Sequence, residues 1–220
     1  MQFTFMKRYW RFYLQGFSLT IRLSVFAVFF GTIIGILIVL LRRSKMKPIK
    51  IIGDAYVGFI RGTPLLAQIY LVYIGIPAIF KGYDLPEFTV GVIALSLNAA
   101  AYISETIRSG IEAVNIGQTE AARSLGMSPG QTMKDIILPQ AFKNILPALG
   151  NQFIGITRDT SMLSVIGCAE IMYKTTIVRG NTARGLEPVI VASLIYLVIT
   201  LVLTRLLGIA ERRLKKSDRR

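Results

Sequence analysis

Residues 23–41, LSVFAVFFGTIIGILIVLL, contain no charged side chain. Few structures are open to such a stretch, because a helix needs roughly 20 apolar residues to cross about 30 Å of hydrocarbon. In lipid every backbone amide must also find its partner inside the segment, which leaves a helix. Three further uncharged runs, 62–80, 88–104 and 188–204, have nearly the same length. A fifth span is expected between residues 136 and 169, interrupted by RDTS at 158–161. Charges at that depth avoid lipid, so this span is read as a helix running into an irregular segment buried in protein. The sequence predicts an all-α membrane protein with five transmembrane helices.

The formal charge of +14, from 26 basic and 12 acidic residues, would by itself suit nucleic acid. Its distribution excludes that partner. Basic residues concentrate in RRSKMKPIK (42–50) and ERRLKKSDRR (211–220), each directly after a long apolar run, where the positive-inside bias puts them. Both clusters are expected in the cytoplasm, the second with anionic lipid within reach. Five spans then place the N-terminus outside, the C-terminus in the cytoplasm, and the connections 81–87 and 170–187 outside. Lys7, Arg8 and Arg11 also fall outside, in MKRYWRFYL, which is read as lying along the interface with its rings at headgroup level. The first run lacks an A-x-A cleavage site and is followed by a basic cluster, so it is expected to remain in the mature protein.

Histidine is absent and Cys168 is the one cysteine. Zinc, haem and Cys/His nucleophile chemistry therefore lack their usual groups; neither a metal site nor a catalytic residue is expected, and Cys168 is read as a small packing residue. Gly31 and Gly35 form a G-x-x-x-G that permits close helix crossing. No G-x-x-x-x-G-K-[ST] occurs, so ATP hydrolysis has to come from a partner.

Between two apolar stretches lies EAARSLGMSPGQTMKDIILPQA, residues 120–141. Ala121 and Ala122 give a helix face of little bulk, and Gly126 ends that helix because glycine takes the left-handed C-terminal position without steric penalty. Ser128 and Pro129 suit a helix start, and Pro139 bounds the second piece. The expectation is a helix, a turn and a helix lying across the ends of the spans. The stretch reads E-A-A-x3-G-x9-I-x-L-P from Glu120 to Pro139, and it resembles the EAA loop of ATP-binding cassette importer permeases. RGTPLLAQIYLVYIGIP (61–77), ALSLNAAAYISETIRSGI (94–111), AFKNILPALGNQFI (141–154) and RDTSMLSVIG (158–167) are similar to segments of the polar amino acid uptake family.

That resemblance covers most of residues 17–210 and implies a type I importer permease: one transmembrane domain over 1–220, with a cytoplasmic coupling loop at about 112–139. It implies a second, identical permease subunit in a homodimer, two cytoplasmic ATPases that bind ATP and Mg, an external substrate-binding protein, an amino acid substrate and a bacterial inner membrane. The segment from Ser128 to about residue 134 would seat in an ATPase groove, with Glu120, Ala121, Ala122 and Gly126 setting its bend.

Six polar residues are candidates for substrate binding: Gln68, Asn98, Glu105, Asp159, Thr160 and Ser161, with function favoured for Asn98 as the deeper residue of its helix. Asn98, Tyr102 and Glu105 share one helical face. An ionisable residue in a span is a functional candidate by default, although Glu105 paired with Arg108 would equally well anchor the helix. Asp159, Thr160 and Ser161 lie at a break in a helix, a common way to build a midplane site. The alternative for Asp159 is a charge pair with Arg158 or Arg61, and the resemblance favours binding. Arg61 precedes Gly62-Thr63-Pro64, where Thr63 is expected to cap a helix starting at Pro64, so Arg61 reads as a gating or structural residue. Gln68 faces either the pathway or a neighbouring helix. Other classes remain open at this level: a membrane enzyme with Glu105 and Asp159 as acid and base, or an ion channel.

Overall fold

The computed structural model describes residues 2–81 and 83–216, with the side chains of 214–216 excepted. Residues 217–220 of the basic C-terminal cluster lie outside the described residues. Those described form helices α1 (Met6–Arg42), α2 (Lys47–Gly62), α3 (Leu65–Ile79), α4 (Glu87–Glu112), α5 (Ile116–Ser124), α6 (Pro129–Gln131), α7 (Leu138–Asp159), α8 (Ile171–Thr182) and α9 (Glu187–Lys216). A π-helical stretch, Thr132–Ile137, joins α6 to α7, and a 3-10 turn, Thr160–Ile166, follows α7.

The core is a seam between α1 and α4. Small residues make it possible: a Cβ on Gly31 would lie 2.7 Å from the Cβ of Ala99, and one on Gly35 would lie 3.0 Å from Cγ2 of Ile103. The G-x-x-x-G of α1 therefore meets a small-residue face on α4, where Ala94, Ala99, Ala100 and Ala101 are buried. Close backbone approach of this kind replaces the hydrophobic drive that lipid does not supply. Leu23, Ile69, Leu95, Ile156 and Leu163 close the same cluster together with buried Cys168. The Phe26 ring stands edge-on to that of Phe88 at the start of α4, and Arg42 reaches Glu105 near its end. The two helices thus run parallel.

α1, α4 and α9 are each long and apolar enough to cross a membrane. Two bent pairs raise the number to five if each pair makes one span: α2 with α3, bent by 111°, and residues 129–166 with α8, bent by 48°. The 62–80 run holds only the 15-residue α3, shorter than the spans of α1, α4 and α9. Its helix begins only at Leu65, because the pre-proline Thr63 is extended (φ −122°, ψ 149°), as residues before proline are. Thr63 does not cap α3 as expected. Its hydroxyl donates back to the Phe59 carbonyl at 2.9 Å and so closes α2 instead.

Three further segments depart from expectation. The MKRYWRFYL stretch is the continuous start of α1 rather than a separate surface segment: Tyr13 and Phe5 are buried with Val178 and Val191, and the Lys174 ammonium sits 3.8 Å above the Phe12 ring. Residues 171–182, read as external loop, form α8 against α1 and α9. The expected irregular segment at 158–161 is regular, with α7 passing directly into the 3-10 turn.

Candidate functional site

Beyond the ends of α1 and α4, residues 113–128 hold the helix, α5, and the turn that the sequence predicts within about 112–139. Asn115 caps α5 by accepting from the Gly117 amide at 2.8 Å. Gly126 stands in the left-handed region at φ 82°, a conformation costly for any residue with a Cβ. Ser128 then starts a capping box: its hydroxyl accepts from the Gln131 amide at 3.3 Å, while the Gln131 side chain accepts from the Ser128 amide at 2.8 Å. Pro129 occupies the first turn. Glu120 and Ala121 are exposed, and Ala122 is buried.

Pro139 does not end the second piece. It sits in the first turn of α7, which runs on to Asp159. The π-helical stretch before it explains this, since the Leu138 amide bonds back five residues to the Met133 carbonyl. The wider turn gives room to a proline ring that would strike the carbonyl four residues earlier in an α-helix.

On α4, the Glu105 carboxylate gathers three guanidinium groups. Arg42 donates to Oε1, Arg108 to Oε2 at 2.9 Å, and Arg61 lies 3.2 Å from Oε2. Arg42 also holds Asp54 at 2.7 Å, and Arg108 holds Glu112. Arg61 further faces the Tyr102 ring, 5.9 Å from its centroid. Glu105 thus ties α1, the end of α2 and α4 into one network. Arg42 was visible in the sequence only as one of a basic run, and nothing local links it to a residue 63 positions away.

Deeper in the bundle, Gln68 and Asn98 are both buried, at 4% and 7% exposure. Asn98 donates to the Gln68 side-chain carbonyl at 2.9 Å, and the Gln68 amide donates to the carbonyls of Ile60 and Thr63 and to the Thr63 hydroxyl. This bridge covers the break between α2 and α3, where the end of one helix leaves carbonyls that need donors.

Asp159, Thr160 and Ser161 occupy the junction of α7 and the 3-10 turn. Thr160 is fully buried, its hydroxyl spent on the Thr157 carbonyl at 2.8 Å. Asp159 and Ser161 are half-buried, and Arg158 is exposed. Among the described residues no hydrogen bond and no ion pair within 4 Å is made by the Asp159 carboxylate, and the neighbouring Arg158 charge acts on it from farther away. The sequence candidates therefore fall into three separate groups: Gln68 with Asn98, Glu105 with its arginines, and the Asp159 junction.

One buried acid escaped sequence reading. Glu170 is fully enclosed and caps α8, accepting from the amides of Met172 at 2.8 Å and Tyr173 at 2.7 Å and from the Tyr196 hydroxyl at 2.6 Å. An acidic residue just ahead of a helix start was the available signal, and the polar residues of 171–182 obscured it.

Residues 17–216 match the family described as binding-protein-dependent transport system inner membrane component. The chain is 43% identical, over 94% of both sequences, to the arginine transport system permease protein ArtQ of Bacillus subtilis (strain 168). It is 39% identical to the probable glutamine ABC transporter permease protein GlnM of the same organism, over 93% of this chain and 94% of that one. The structure described as an amino acid ABC transporter with histidines superposes with a TM-score of 0.93 at 44% identity, covering 97% of this chain and 99% of the other. The inward-facing MetNI methionine transporter shares the fold at 16% identity, with a TM-score of 0.76 over 97% of this chain and 99% of that one. The chain belongs to the family of binding-protein-dependent transport system inner membrane components and is a multi-pass membrane protein.

Proposed function

We propose that this chain is the membrane-spanning permease of an ATP-driven importer for polar L-amino acids, with basic amino acids favoured and glutamine close behind. The observation that carries the reading is its likeness, over more than nine-tenths of both chains, to permeases named for arginine and glutamine. The half-buried Asp159 carboxylate, which makes no hydrogen bond or close ion pair among the described residues, supports a cationic or ammonium-bearing substrate. Ser161 beside it supplies a hydroxyl, and Thr160 holds the turn. Gln68, Asn98 and Glu105 act in this reading by setting the helices around the pathway, with Arg61 as the gating or structural residue at the α2–α3 break.

The permease works as a pair, with two cytoplasmic ATPases that carry ATP and Mg and an external binding protein that delivers substrate. Its N-terminus lies outside, and its C-terminus and residues 113–139 lie in the cytoplasm. The capped helix after Gly126 transmits ATPase closure to the spans as a rigid-body movement. A membrane enzyme has less support, because Glu105 is held by three arginines rather than set against Asp159. A channel would have no use for a capped, bent docking segment.

Uptake into proteoliposomes holding this chain, its ATPase and its binding protein tests the reading. ATP-dependent accumulation of one amino acid class is expected, with arginine, lysine, histidine, glutamine, glutamate and cystine as competitors. Gly126→Val, which places a β-branched residue at a left-handed position, is expected to abolish uptake while ATP hydrolysis and membrane insertion persist. Absence of nucleotide-dependent uptake of any amino acid by a stable complex would reject the reading.

A further inference from the structure

At the bundle end where α1 and α4 finish, a cavity of about 390 Å³ opens between α1, α2 and α4, within the roughly 300–1,000 Å³ of small-ligand sites. Its polar lining is four cations, Arg42, Arg43, Lys50 and Arg108, two carboxylates, Asp54 and Glu112, and the hydroxyl-bearing Ser104. Both carboxylates are already engaged, Asp54 by Arg42 and Glu112 by Arg108. Arg43 and Lys50 are exposed and have no ion-pair partner among the described residues. The cavity thus offers two uncommitted positive charges beside a network whose acids are neutralised.

The site is built, not incidental. A Cβ on Gly53 would fall 2.6 Å from Cγ of Arg42, so α2 accepts the Arg42 stem across its backbone and the guanidinium groups are fixed at the cavity wall. Apolar surface continues from the same elements: Val39 and Ile111 line the cavity, and Leu40 after Val39 and Ile51 and Ile52 after Lys50 stand exposed, at 61–64%. Positive charge at a membrane end with exposed aliphatic surface next to it matches one ligand chemistry, a phosphate diester carrying acyl chains. Arginine engages phosphate oxygens in pairs, and lysine supplies a point charge.

We infer that this cavity binds the phosphate headgroup of an anionic phospholipid, held by Arg43 and Lys50, with an acyl chain along Leu40, Ile51 and Ile52. The lipid would brace the α1–α2 turn against the Glu105 network.

The test uses the full chain in vesicles with one reporter. Trp10 is the sole tryptophan, so Trp10→Phe with Ile51→Trp places the fluorophore next to Lys50. Quenching by brominated phosphatidylglycerol is compared with quenching by brominated phosphatidylcholine at equal mole fraction. The reporter is expected to favour the anionic lipid by roughly 25-fold, since each of the two basic residues near the surface contributes about fivefold. Arg43→Gln with Lys50→Gln should bring the two lipids level, Arg43→Lys should keep the preference, and Arg212→Gln on α9 should leave it unchanged. Equal quenching by both lipids in the reporter chain would overturn the proposal without any further variant. A preference that survives the double substitution, or that Arg212→Gln lowers as much, would reduce it to general surface charge and reject the site. Displacement of the brominated anionic lipid by inorganic phosphate would identify a free anion as the ligand, and would also reject it.

Discussion

Asp159 and Glu170 stand at opposite ends of one short stretch, on either side of the 3-10 turn, and the chain treats them in opposite ways. Glu170 is fully enclosed and receives three hydrogen-bond donors from its own helix and from α9. Asp159 is half open and receives none among the described residues. A buried carboxylate without donors is expensive, so Glu170 persists only because α8 offers its first amides and α9 offers Tyr196. Donors at a helix N-terminus suit a negative charge for the same reason. Asp159 is left to solvent, to the pathway or to a ligand. The difference separates a carboxylate that builds the fold from one that is free to act.

The comparison breaks most sharply at Glu170. Glu170→Ala strands two amides and one hydroxyl in an enclosed site, and the expected loss is about 3 kcal/mol, at roughly 1–3 kcal/mol per unsatisfied group. SDS unfolding of the purified chain measures it. Tyr196→Phe removes one donor and should cost about 1.5 kcal/mol on the same scale. If both variants unfold like the parent chain, Glu170 is no structural pin, and the contrast with Asp159 loses its meaning.

Asp159 should show the reverse pattern, with function lost and stability kept. If Asp159 holds substrate as proposed, replacing it by Ala removes a charge-assisted contact of about 1.5–3 kcal/mol, and transport of a basic amino acid should fall roughly 10- to 150-fold. The SDS midpoint should not move, because no described residue depends on that carboxylate. A fall in uptake matched by a fall in stability would place Asp159 with Glu170 as a structural residue.

How much of this was legible beforehand depended on how local the cause was. The left-handed Gly126, the Ser128 cap and the Gly31–Gly35 face rest on one to four residues, and each was readable in the sequence. Three local rules were overridden. Pro139 reads as a boundary until a π-turn makes room for its ring, and Thr63 reads as a cap for α3 until its hydroxyl turns back to α2. Residues 171–182 read as loop because their polar threonines and charges hide a helix whose inner face, Ile171, Thr175 and Val178, is buried. The remaining features depend on pairs far apart in the chain. Arg42 with Glu105, Asn98 with Gln68 and Tyr196 with Glu170 have no signature until the helices are assembled.

Glu105 lies between the two extremes and carries the smallest expected effect. Its carboxylate is as thoroughly partnered as that of Glu170, yet Arg61 and Arg108 have side chains 48% and 46% exposed. Water and salt therefore reach the network, and exposed ion pairs contribute little individually. Glu105→Gln should lower stability by only about 1 kcal/mol, and the difference from the parent chain should shrink as ionic strength rises. Glu170→Ala, with its site closed to ions, should show no such salt dependence. Measuring both variants at low and high salt thus distinguishes a carboxylate held by charge from one held by enclosure. A Glu105→Gln loss as large as that of Glu170→Ala and insensitive to salt would mean that the arginine network is sealed in the assembled transporter, and that this end of α4 is buried against a partner.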